Sequence, residues 1–122
     1  MLVAILTYFL LGGGSSLMLD YIDQSRDNAK VVIPHDDRRT SALEQLKEME
    51  KLTKELDKER KKKAKALAKA WKNYTGDYDE IGALWQEHFD ALDVYYGEIL
   101  DRREELKKSI TREEWSQVFP AP

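Results

Sequence analysis

Apolar positions recur at alternating steps of three and four along two long stretches of this chain. In the first stretch they fall at Ala42, Leu46, Met49, Thr53, Leu56, Leu67, Ala70 and Tyr74, with Arg60 and Lys63 in the same row. In the second they fall at Gly82, Trp85, Phe89, Leu92, Tyr96, Ile99, Leu106 and Ile110, with Arg103 in the row. This spacing stays on one face of a helix, so it predicts helices over 42–74 and 78–110. Ser41 and Glu44 have capping-box spacing and mark the first start. Thr75-Gly76-Asp77 marks a break, with glycine suited to a helix end and aspartate to the next beginning. Thr111 and Glu114 repeat the capping-box spacing. They open a short helix with Trp115, Val118 and Phe119 on one face, which Pro120 stops.

A break this short makes the two long helices antiparallel neighbours. Across such a hairpin, paired residue numbers have a constant sum. Leu46 with Leu106, Thr53 with Ile99, Leu56 with Tyr96, Leu67 with Trp85, and Ala70 with Gly82 all obey it. Two independent signals, the apolar rows and the turn, thus agree on one register. The expected fold is mainly α: a long antiparallel, coiled-coil-like hairpin over 41–110 and a short helix with a tail over 111–122.

The N-terminal part reads differently. Residues 2–11, LVAILTYFLL, are almost wholly apolar, and no charge precedes Asp20. About 20 apolar residues span a bilayer as a helix. Residues 1–22 are therefore expected to form a transmembrane anchor, with a cleaved secretory signal and a buried helix as the alternatives. Gly12 and Ser16 share a face in a small-xxx-small pattern suited to packing against another membrane helix. The expected localisation is a single-pass membrane protein. The side of the hairpin is open, and Arg26, Lys30, Arg38 and Arg39 after the apolar run lean it toward the cytoplasm. Residues 23–40 read as a polar connector, and Val31-Val32-Ile33-Pro34 as a short extended piece, because proline disfavours helix at the residue before it.

Charge adds one question. Lys58-Glu-Arg-Lys-Lys-Lys-Ala-Lys65 is strongly basic, yet 35% of all residues are charged and the net charge is only −3. That balance argues against a dedicated nucleic-acid binder. Residues 54–69 carry eight positive and three negative side chains, whereas 77–105 carry ten negative and two positive. The hairpin register sets the basic run beside Glu87, Asp90 and Asp93, so the expectation is an internally matched, solvated face. The stems of Arg60, Lys63 and Arg103 are expected to cover apolar surface in the seam.

Catalytic chemistry finds no foothold. The chain has no cysteine, and its two histidines, His35 and His88, lie in different segments without HExxH or Glu-x-x-His spacing. Phosphate-binding glycine motifs are absent. No catalytic, cofactor-binding or metal-binding residue is assigned, no cofactor is expected, and the chain does not read as an enzyme. What the sequence does show is an excess of aromatics near one end of the hairpin, more than a two-helix seam can bury. Trp71, Tyr74, Tyr78, Ile81, Leu84, Trp85, Tyr95, Trp115 and Phe119 are the expected partner interface, because tryptophan and tyrosine are favoured at interaction hot spots. The function expected is a non-catalytic, membrane-anchored accessory or scaffold subunit of a membrane-associated complex, acting through protein–protein contacts. Its partner would be another subunit or a second copy. The alternatives are a secreted or periplasmic helical-bundle binding protein released by signal cleavage, and an electrostatic binder of anionic lipid.

Overall fold

The computed structural model describes residues 15–73 and 75–121. Among them are four helices and no strand: α1 (Ser15–Val32), α2 (Asp37–Lys72), α3 (Tyr78–Lys107) and α4 (Arg112–Val118). α2 packs against α3 along the hairpin, and α1 packs against both α2 and α4.

α2 begins five residues before Ala42. Asp36 caps it by accepting from the Arg38 N–H, an acceptor that satisfies one of the orphan donors of a first turn. Ser41 is therefore no cap. It lies inside the helix and receives a 2.9 Å hydrogen bond from the Ser109 hydroxyl. The turn between the long helices forms where expected. Asn73 ends α2, the Gly76 N–H donates to the Asn73 carbonyl at 2.9 Å, and Asp77 caps α3 by accepting from the Asp79 and Glu80 N–H groups. A Cβ on Gly76 would come within 3.0 Å of the carbonyl oxygens of Ala70 and Asn73, so this turn has no room for a side chain. α3 stops at Lys107, not at Ile110. The Thr111 capping box forms in full: the hydroxyl accepts from the Glu114 N–H while the Glu114 carboxylate accepts from the Thr111 N–H. That second bond is the main reason the Glu114 carboxyl lies below its usual range.

The largest departure is α1. The connector expected over 23–40 is helical as far as Val32, and Val31-Val32 continue the helix instead of running extended. The reason is a spacing masked by the apolar run ahead of it. Ile22, Ser25, Ala29 and Ile33 recur at steps of three and four, and all four are buried. The helix ends at Val32, and Ile33, the residue before Pro34, is the first to leave it. The Arg39 guanidinium then fastens the corner by donating twice to the Ile33 carbonyl, at 2.9 and 2.7 Å.

This arrangement corrects the membrane reading. Asp20, Asp23, Arg26, Asp27 and Lys30 all lie on α1, and the Arg26 guanidinium is paired with Glu50 of α2. Among the described residues no helix is long and apolar enough to cross a membrane. The described part of the 1–22 segment is thus a packed amphipathic helix, and the single-pass localisation falls together with the orientation drawn from it. Gly12 lies outside the described residues, and Ser16 sits in the first turn of α1. The remainder of the apolar run, residues 1–14, also lies outside them.

The core collects at the end of the hairpin away from Gly76. Ile22, Ala29 and Ile33 of the α1 arm meet Ala42, Leu46, Met49 and Leu56 of α2, Ile99 and Leu106 of α3, and then Ile110 and Val118. α4 seals this base. The Trp115 ring lies 4.6 Å from Phe119, tilted by 40°, Phe119 lies 6.2 Å from the Tyr21 ring, and Arg103 sits 5.1 Å above Trp115. The Tyr21 hydroxyl donates to the Pro120 carbonyl, the Asn28 amide to the Val118 carbonyl, and Arg38 pairs with Glu114.

Candidate interaction face

α3 carries two candidate stripes that share Trp85, Leu92, Ile99 and Leu106. One adds Phe89, Tyr96 and Arg103; the other adds His88, Tyr95 and Arg102. The apolar pattern favours the first, since phenylalanine exceeds histidine in hydrophobicity. The fold uses the second. His88, Ile99 and Leu106 are buried, Tyr95 and Arg102 are half-buried, and Phe89, Tyr96 and Arg103 are exposed. The seam is therefore rotated by one residue from its expected row at every second position, although the register along the helices is kept. Lys63 of α2 meets Glu87 of α3 at 3.5 Å, and Gln45 of α2 meets Arg102 at 3.5 Å, close to the expected pairing.

That rotation creates the candidate face. Phe89 is 51% exposed, Tyr96 47% and Leu100 59%. These three follow one another at helical spacing along one side of α3, and an exposed row of large apolar groups marks an interaction surface more often than scattered single residues do. At its upper end the face is ordered by aromatic stacking. The Trp85 and Phe89 rings lie 5.6 Å apart and nearly parallel, with His88 edge-on to both.

The expected interface residues divide by location. Trp71, at the end of α2, is 57% exposed, and Tyr78, the first residue of α3, is 91% exposed. Tyr74 lies outside the described residues. Ile81, Leu84 and Trp85 are half-buried along the upper hairpin, and Tyr95 is half-buried against the core. Burial and the nearby Glu55, Glu59 and Glu98 carboxylates push the Tyr95 phenol up. Trp115 and Phe119 are engaged inside the base, with α1 and Arg103. Phe89 and Tyr96 were assigned to the seam by sequence, so only their excess over the needs of a two-helix contact marked them as surface.

The electrostatics depart from the expected internal match. Lys58, Lys61, Lys62, Lys65, Lys69 and Lys72 are all exposed on α2. Among the described residues, Lys63–Glu87 is the one ion pair between α2 and α3, and Lys61 pairs within its own helix with Asp57. A single pair of this kind contributes only ~0.2–1 kcal/mol, so the apolar rows and the turn hold the register. Arg60 and Lys63 act on the buried His88. Burial, then these two cations, holds its imidazole below the ordinary histidine value.

No convergent chemical site accompanies the face. Among the described residues, no three metal-ligating side chains come together. An open notch of about 410 Å³ beside α1 is lined entirely by charged residues, including Arg26, Lys47, Glu50 and Lys54. No family model matches this chain, and neither a curated protein nor a solved structure shows detectable similarity to it.

Proposed function

We propose that this chain is a non-catalytic accessory or scaffold protein that acts by docking another protein on the exposed apolar row of α3. The observation that carries this reading is the exposure of Phe89, Tyr96 and Leu100 along one flank of a helix whose neighbouring stripe, with His88, Ile99 and Leu106, is already packed. Side chains of this size, left in water at helical spacing, suit a helix or apolar surface laid along them, where aromatic anchors supply most of the binding energy. The partner is another subunit or a second copy of the chain.

A double substitution, Tyr96→Ser with Leu100→Ser, tests the reading. Both positions are exposed, so the fold is expected to survive, as helical circular dichroism and the thermal midpoint will show. Light scattering of the purified chain reports self-association. Affinity purification from the native source, followed by reconstitution with the purified partner, reports a different subunit. The double variant is expected to weaken whichever association the parent forms by at least about tenfold, equivalent to 1.4 kcal/mol. Undiminished association would reject the α3 row as the docking face.

A further inference from the structure

The two long helices carry opposite and unmixed charge over their upper halves. From Arg60 to Lys72 α2 has no carboxylate, and from Tyr78 to Asp101 α3 has no lysine or arginine. On α2 the cations form a ladder. Lys54, Lys58, Lys61, Lys65, Lys69 and Lys72 recur at steps of three and four, and all are exposed. The ladder is about 27 Å long at 1.5 Å per residue. The buried row of α2, with Leu56, Ala64 and Leu67, occupies the other side of the helix, so the ladder is turned away from α3. Lys54 and Lys61 pair within α2, with Glu50 and Asp57. Among the described residues Lys58, Lys65, Lys69 and Lys72 have no ion pair.

On α3 the complement is built into the docking row itself. Asp93 falls between Phe89 and Tyr96, so Phe89, Asp93, Tyr96 and Leu100 follow at steps of four, three and four. All are exposed, and Asp93 has no ion pair among the described residues. A row that alternates rings with a carboxylate suits lysine. The stem covers apolar surface while the ammonium reaches the acid or the face of a ring. The ladder offers lysines at the same steps. Lipid headgroups or a nucleic-acid backbone would answer the ladder alone, and their phosphates would be repelled by Asp90, Asp93 and Asp101. This chain carries both halves of the match. They lie on different helices and face different ways, so they meet only between molecules.

We propose that the occupant of the α3 row is the lysine ladder of α2 from a second copy of this chain. The inference rests on the α3 row being a docking face and names what docks there. Because the two surfaces differ, the contact is heterologous. Each pair leaves one ladder and one row unused, so association continues past a dimer unless the copies close into a ring.

Two full-length variants test it by sedimentation and light scattering. The ladder variant is Lys58→Gln with Lys65→Gln and Lys69→Gln, and the row variant is Tyr96→Ser with Leu100→Ser. All these positions are exposed, and helical circular dichroism checks the fold. The parent is expected to gain mass with concentration and to lose it as salt rises, since exposed charges are screened over about 10 Å at 0.1 M. Each variant alone is expected to associate at least about tenfold more weakly. An equal mixture is expected to form a dimer and nothing larger, as the intact ladder of one docks on the intact row of the other. A parent that stays monomeric overturns the proposal and leaves the row to a different subunit. Association kept by the ladder variant but lost by the row variant overturns it as well, while the docking role of the row stands. So does a mixture no heavier than its components. Cosedimentation of a monomeric parent with phosphatidylserine vesicles, lost in the ladder variant, would assign the ladder to a lipid surface instead and overturn the proposal.

Discussion

The two ends of the hairpin are built from the same pair of helices, yet they differ in what surrounds them. At the base, α2 and α3 are joined by α1 and α4, and four helices share one core from Ile22 to Val118. Toward the tip the described chain offers only α2 and α3, with Trp71, Tyr78 and Phe89 facing outward. A two-helix seam hides one stripe of each helix, whereas a four-helix core hides two. The difference shows that cover for apolar side chains is unevenly distributed along this molecule. Additional helices absorb the apolar residues at one end, and the same residue types become surface at the other.

Truncating one leucine at each end gives the largest expected effect. Leu106 is fully buried at the base, and Leu67 is 2% exposed toward the tip. Leu106→Ala is expected to cost about 2–5 kcal/mol of unfolding free energy, because many fixed neighbours line the cavity it leaves. Leu67→Ala is expected to cost less, since two helices can close over the gap. Urea unfolding measures the costs, and hydrogen exchange locates them. Amides of residues 64–72 are expected to exchange through local opening, and those of residues 42–56 only through global unfolding. Equal costs with uniform protection would erase the distinction between the ends.

Much of this comparison was legible in the sequence, and the parts that were not have specific causes. The hairpin, its turn at Gly76, the Thr111 capping box and the core roles of Leu46, Leu56, Ile99 and Leu106 all follow from periodicity and local capping. These signals are carried by residues close in sequence or by the constant pairing of an antiparallel hairpin. The facing side of α3 differs from the expected row at His88 and Tyr95 because the two stripes share four of their seven members. Hydrophobicity favours Phe89 and Tyr96, while the position of α2 in space decides the outcome. α1 was hidden for a different reason. Its buried stripe includes Ser25 and Ala29, which add little apolar signal beside residues 2–11. The exposed row of α3 could be inferred only as an excess of aromatics. Which members are exposed depends on the placement of α1 and α4, and no local pattern encodes that.

Helix caps sharpen the comparison at smaller scale, because the same chemistry occurs at both ends. Thr111 caps α4 at the base, and Asp77 caps α3 at the tip. Loss of either cap costs about 1 kcal/mol in typical helices. Thr111→Ala is expected to appear in the global urea midpoint. It removes an acceptor for the Glu114 N–H and loosens the carboxylate that Arg38 holds, so α4 seats less firmly on the core. Asp77→Ala is expected to appear mainly as faster hydrogen exchange of residues 78–82. A matching loss of global stability from both substitutions would show that the ends unfold as one unit.

The smallest expected effect is a pH dependence carried by the upper seam. His88 is buried, faces Arg60 and Lys63 of α2, and has Glu87 beside it engaged with Lys63. Burial first, then the two cations, lowers its folded-state pKa below the ordinary value of 6.5. Above that value the imidazole is neutral in both folded and unfolded chains and adds no pH dependence. As pH falls through 6.5, the unfolded chain takes up the proton more readily than the folded one, so stability declines until the folded form protonates as well. Glu50 and Glu114 are lowered too, but from the carboxylate value of 4.5, so their contribution is lost only at lower pH and leaves the histidine window clear. His88→Gln keeps a polar side chain of similar size and removes the titration. The parent is expected to lose stability between about pH 7.5 and pH 5.5, and the variant to hold its urea midpoint over the same interval. If the parent holds its midpoint as well, the seam at His88 is open enough for the charged imidazole to be hydrated, and the upper hairpin is more loosely closed than the buried stripe implies.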